Sequence, residues 1–150
     1  FEMAQLGHRE GIVELTHRYM LEQRFVGRYS SAEALTEDDF PLTHRARYML
    51  RAQVALRNGD AVVHMPYVAA YDEILIGFGS NIGANVFDQN RLGILAGYQL
   101  DPRFRAEAGY INQILQFGRT IDGMDVFQYN QGIIVNVYFT LDLRPATPAP

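Results

Sequence analysis

Leu42-Thr43-His44-Arg45-Ala46-Arg47-Tyr48-Met49-Leu50-Arg51-Ala52-Gln53-Val54-Ala55-Leu56-Arg57 has a period of two. Leu42, His44, Ala46, Tyr48, Leu50, Ala52, Val54 and Leu56 fall on one parity, with Thr43, Arg45, Arg47, Met49, Arg51, Gln53, Ala55 and Arg57 on the other. A β-strand sends successive side chains to opposite faces, so one face is greasy and the other carries a row of guanidinium groups. At roughly 3.3 Å per residue the run extends for about 50 Å, well beyond the ~5–6 residues of an ordinary soluble strand. Length, period and arginine content together point to a transmembrane β-barrel, apolar toward lipid and charged toward the lumen.

The same alternation recurs along the chain. From Ile12 to Tyr29, Val13, Leu15, Tyr19, Leu21, Phe25 and Tyr29 lie opposite Glu14, Thr16, Arg18, Glu22, Arg24 and Arg28, with His17 and Gln23 interrupting the apolar side. Gln89 to Leu100 sets Leu92, Ile94, Ala96, Tyr98 and Leu100 against Gln89, Arg91, Gly93, Gly97 and Gln99. Arg103 to Phe117 sets Phe104, Ala106, Ala108, Tyr110 and Ile114 against Arg103, Arg105, Glu107 and Gln113. Phe127 to Leu143 sets Phe127, Tyr129, Ile133, Val135, Val137, Phe139 and Leu141 against Gln128, Asn130, Asn136 and Thr140. His64 to Phe78 is less regular, because Asp72 shares a parity with Val68, Ala70, Ile74 and Ile76. It is read as a strand with Glu73 inward and a bulge accommodating Asp72. Phe1 to His8 reads as the end of an earlier strand, giving six strands and a partial seventh.

The connections are expected to alternate in length. Tight turns fall at Arg9-Glu10-Gly11, Asn58-Gly59-Asp60 and Asp101-Pro102-Arg103, each with turn-forming residues. Longer links fall at Ser30 to Pro41, Gly79 to Val86 and Gly118 to Val126. Barrels of the outer membrane sort their connections in this way, hairpins on the periplasmic side and loops outside. Tyr98, Phe104 and Phe139 sit near the short-turn ends, and Phe25, Tyr29, Phe78, Phe127 and Tyr129 near the long-loop ends, as two aromatic girdles would.

With 150 residues and 48% hydrophobic content, composition alone does not demand a membrane. No stretch approaches the ~20 consecutive apolar residues of a spanning helix. Cysteine is absent, which excludes disulfides and thiolate chemistry. A net charge of -4, with arginines spread along strands, gives no basic patch for nucleic acid. The first residues, Phe1-Glu2-Met3-Ala4-Gln5, lack the basic start and apolar run of a signal peptide, so an exported protein has lost it or the chain starts late.

Asn130-Gln131-Gly132-Ile133-Ile134-Val135-Asn136-Val137, leading to Phe139, resembles the C-terminal signal by which outer-membrane barrels are recognised for assembly. The chain departs from it by continuing through Arg144-Pro145-Ala146-Thr147-Pro148-Ala149-Pro150, a tail that cannot pair in a sheet. Leu21-Glu22-Gln23-Arg24-Phe25, Arg45-Ala46-Arg47-Tyr48, Tyr71-Asp72-Glu73, Phe87-Asp88-Gln89-Asn90-Arg91 and Glu107-Ala108-Gly109-Tyr110 occur in an order that resembles a bacterial outer-membrane family, domain of unknown function 2490. The resemblance covers nearly all of Phe1 to Leu143 and implies a barrel without naming an activity. It also implies further strands ahead of Phe1. The expected organisation is therefore an all-β, antiparallel up-and-down barrel over residues 1–143, the C-terminal six to seven strands of a larger one, and a Pro-rich disordered tail over 144–150.

The inward set Arg18, Glu22, Arg24, Arg45, Arg47, Arg51, Glu73, Arg91, Arg105 and Glu107 is the charged constellation of the sequence. Each such charge must be paired or solvated. Two readings stand: ion pairs that fill a narrow lumen, or an arginine-lined constriction selecting anions. Catalysis has poor support. His17 and His44 fall on lipid-facing parities, and Ser30, Ser31 and Ser80 have no His or acid at a recognisable spacing. No phosphate loop or metal-ligand spacing is present, and no cofactor is expected. The sequence thus predicts a bacterial outer-membrane barrel with a structural, pore or complex-subunit role. Its partners would be lipid or lipopolysaccharide, the barrel-assembly machinery and other subunits. The alternative is a soluble barrel holding a small apolar ligand, which would turn Leu50 and Val54 inward.

Overall fold

The structure, a computed structural model, describes residues 1–29, 31, 35–57, 63–82 and 86–141. Seven strands follow one another: β1 (Glu2–Glu10), β2 (Val13–Phe25), β3 (Leu42–Ala55), β4 (Met65–Phe78), β5 (Phe87–Asp101), β6 (Phe104–Ile121) and β7 (Met124–Phe139). They form a single sheet in sequence order. Every neighbouring pair is antiparallel, so the fold is an up-and-down meander. The sheet is open, with β1 and β7 at its edges. No helix among the described residues is long and apolar enough to cross a membrane, which bears on helices alone.

The parity read from the sequence is the parity of the sheet. Val13, Val54, Val68, Ala96, Ala108 and Val135 pair successively into one apolar row across six strands. Leu15, Ala52, Ala70, Ile94, Tyr110 and Ile133 form the next row on the same face. The opposite face is concave, as reach shows. Arg51 and Glu107 lie three strands apart, about 14 Å across a flat sheet, yet their charged atoms meet at 2.8 Å. Only a strongly curled sheet brings them together.

Glycine and tyrosine shape that concave side. Tyr67 and Tyr71 on β4 face Gly97 and Gly93 on β5 as direct cross-strand partners. A Cβ at either glycine would collide with the tyrosine ring, so each ring lies over a bare stretch of backbone. Tyr67, Ala69 and Leu95 form the buried apolar cluster there, with Tyr71 and Ile134 packed against it.

Several elements differ from the sequence expectation. The segment read as a partial strand is a nine-residue β1, paired with β2 along its length. β2 stops at Phe25 rather than Tyr29, and beyond it Arg28 bridges to Asp39. No bulge occurs at Asp72, which stays in register with both Leu50 and Leu92. The irregularity lies instead where Leu75 pairs with Gln89 and Ile76 with Phe87, leaving Asp88 as the extra residue.

The link expected over Gly118 to Val126 is mostly strand. β6 runs on to Ile121, and the turn is Asp122-Gly123 with both φ angles positive, 52° and 77°. That is the type I′ geometry Asp-Gly favours, because its twist matches the flanking strands. Nine residues separate β3 from β4 at the opposite end of the sheet. The strict alternation of short and long connections therefore does not hold. The Asp101 turn is tight as expected, its Oδ1 accepting from the backbone of Arg103 at 2.7 Å and Phe104 at 2.9 Å. The expected Asn58-Gly59-Asp60 turn and the 144–150 tail lie outside the described residues.

Candidate functional site

The inward residues of β2 to β5 build a chain of ion pairs on the concave face. The Arg45 guanidinium donates to Glu22 through Nε at 2.7 Å and to Asp88 through Nη1 at 2.6 Å. Arg47 bridges Glu22 at 2.6 Å and Glu73 at 2.7 Å. Glu73 also accepts from Arg18 at 2.8 Å, while Arg91 stands off at 3.7 Å. Arg24 lies 3.9 Å from Asp88. Three guanidinium groups thus surround the single carboxylate of Glu73, a residue only 3% exposed.

A second cluster surrounds Glu107, whose side chain is fully covered. Its Oε2 accepts from Arg51 Nη2 at 2.8 Å and the Tyr67 hydroxyl at 3.0 Å. Its Oε1 accepts from Asn136 and from the Tyr138 hydroxyl, both at 3.0 Å. Contributions from β3, β4, β6 and β7 therefore meet on one carboxylate. Burying this charge is tolerable because every lone pair finds a donor. Arg105, the remaining member of the expected network, stacks over the Tyr138 ring at 4.1 Å.

All ten expected network residues lie on the concave face or its rim, nine of them paired with a carboxylate or guanidinium partner. Sequence parity missed Asp88, because the bulge sets Asp88 and its neighbour Gln89 toward the same side. It also passed over Tyr67, Asn136 and Tyr138 as Glu107 partners. The Gly93 and Gly97 positions opposite Tyr71 and Tyr67 were the available signal, since a glycine across from an aromatic invites the ring to lie over it.

The expected girdle residues Phe25, Phe78, Tyr98, Phe127, Tyr129 and Phe139 are exposed near strand ends on the convex side, Phe104 is half-buried, and Tyr29 lies in the segment after β2. His44 stacks on Phe78, and Phe87 packs against Phe127 at the same end. His17 and His64 also have aromatic partners: His17 Nδ1 lies 2.9 Å from the Tyr48 hydroxyl, and His64 3.4 Å from that of Tyr98. Among the described residues no group of three or more His, Asp or Glu is placed to hold a metal ion.

Between the two carboxylate clusters lies a cavity of about 250 Å³ lined by Arg18, Arg47, Arg51, Arg91, Glu73 and Glu107, among others. Chemically the face offers fixed guanidinium donors in a partly desolvated setting. No curated protein and no solved structure matches the chain. The model of one family, described as protein of unknown function (DUF2490), matches residues 1–124. With most of its length and six of its seven strands inside that match, the chain belongs to the DUF2490 family.

Proposed function

We propose that the chain forms the wall of a bacterial outer-membrane β-barrel, with a structural, pore or complex-subunit role and no catalysis. The observation that carries this reading is inverted polarity. Ile133 is 86% exposed and Ile94 59%, on an apolar convex face, while Glu73 and Glu107 are buried on the concave one. A protein folded in water buries the first kind of residue and exposes the second. Lipid outside and a polar lumen inside reverse that preference. The strands β2 to β7 have 13 to 18 residues, enough for the ~9–11 tilted residues that cross a bilayer.

The surrounding partners would be lipid or lipopolysaccharide, with the Asn130 to Phe139 stretch on β7 read by the assembly machinery. Pairing β1 directly with β7 would be parallel, because seven antiparallel strands leave both edges pointing the same way. Antiparallel closure takes an odd number of added strands, from a longer chain or another subunit. An apolar ligand inside the curl is the less supported reading, for six of the side chains lining the cavity there are charged.

The test is extraction of the native protein from its cells. It should fractionate with outer membranes, require detergent, and migrate differently on gels when unheated and boiled. A protein recovered in the aqueous fraction with a single mobility would overturn the reading.

A further inference from the structure

We propose that the cavity between Glu73 and Glu107 is a binding site for a small phosphate-class dianion, either inorganic phosphate or a phosphate monoester. Four guanidinium groups, Arg18, Arg47, Arg51 and Arg91, face two carboxylates there, and over the whole ion-pair network six arginines meet the four carboxylates of Glu22, Glu73, Asp88 and Glu107, leaving a formal surplus of two positive charges. The surplus is local. The whole chain carries a net charge of -4, so the concave face is polarised against the rest of the molecule.

The arrangement also leaves donors to spare. Glu73 Oε1 already accepts from both Arg18 and Arg47. Arg91 approaches the same carboxylate only to 3.7 Å, with a third of its side chain exposed. Each guanidinium carries five N–H donors, and its fork matches two oxygens of a phosphate. A phosphate monoester carries about -1.5 to -2 charge at pH 7, which closes the surplus. A singly charged carboxylate ligand would leave half of it. The cavity, about 250 Å³, has room for such a group and a small substituent. Curled low-dielectric walls strengthen attraction to the anion.

This inference rests on the concave face alone and does not require the membrane reading. Equilibrium dialysis of the full-length, detergent-solubilised protein against radiolabelled inorganic phosphate, in sodium chloride buffer, tests it. Saturable binding is expected, weakened about tenfold or more by Arg91→Gln and unchanged by Arg103→Gln in the exposed turn. Glu73→Gln should tighten binding about tenfold by removing a competing carboxylate, a gain that misfolding cannot mimic. Absence of phosphate binding would overturn the site, as would binding that Arg91→Gln and Glu73→Gln both leave unaltered. A water-soluble phosphatidic acid, itself a phosphate monoester, that binds more tightly than inorganic phosphate would support the site and name a lipid headgroup as the source of the dianion. A protein that binds phosphate yet needs no detergent would sink the barrel and spare the site; a heat-modifiable barrel blind to phosphate would do the reverse.

Discussion

Glu107 and Arg91 carry charge on the concave face in contrasting settings. Glu107 is fully covered and accepts from Arg51, Tyr67, Asn136 and Tyr138. Its removal strands a buried guanidinium and two hydroxyls, so Glu107→Ala should cost about 3–5 kcal/mol, read from guanidinium-induced unfolding. Arg91 is a third exposed, stands 3.7 Å from Glu73 and lies beside the Gln89 side-chain amide. Arg91→Gln should cost no more than ~1 kcal/mol, as expected of a solvated pair. Equal losses at the two positions would contradict this ordering. Gly109 is a third kind of position, where a Cβ would run into the backbone carbonyl oxygen of Ile94 rather than a movable side chain. Gly109→Ala should therefore destabilise by about 1–3 kcal/mol. Gly118→Ala, with open space around it, should not.

At the scale of elements, the far hairpin is the informative one. Gly123 sits at φ 77° in the Asp122-Gly123 turn, beyond a register shift between Gln116 and Thr120. A β-branched residue there is strained by about 1–2 kcal/mol. Gly123→Val should increase amide exchange in residues 117–126 and leave the β2–β5 ion pairs protected; loss of protection throughout would mean the hairpin nucleates the sheet. The period-two pattern made six of the strands legible, because each buries a different chemistry on each face. β1 was short and weakly patterned, so only its pairing with β2 defines it. The site was legible to the same degree. Parity assigned the arginines and Glu22, Glu73 and Glu107 to one face, but parity carries no information about a bulge. Asp88 was therefore hidden until the register between β4 and β5 was known. The Asp-Gly turn was visible as a dipeptide and lost within a polar stretch between Gly118 and Val126.

For the whole molecule, the question is which solvent meets the convex face, and that face contains its own control. The apolar row through Ala70, Ile94 and Ile133 adjoins a row of His17, Leu50, Asp72, Leu92, Asn112 and Gln131. Asp72 is exposed there, its Oδ1 accepting from Asn90 at 2.7 Å. Lipid and water make opposite demands on these two rows. In a bilayer, Ile133→Arg should destabilise by about 2–4 kcal/mol if the residue lies near the midplane, falling to ~0–1 kcal/mol near an interface. In water an exposed substitution of this kind stays within roughly 0.5 kcal/mol. Asp72→Leu should act in reverse, removing a poorly solvated carboxylate and stabilising the protein in lipid while adding an exposed apolar group in water. Unfolding titrations in phospholipid vesicles measure both. A loss for Ile133→Arg together with a gain for Asp72→Leu is expected of a lipid-facing wall. Two near-zero effects would mean that the convex face is hydrated and the inverted polarity has some other cause.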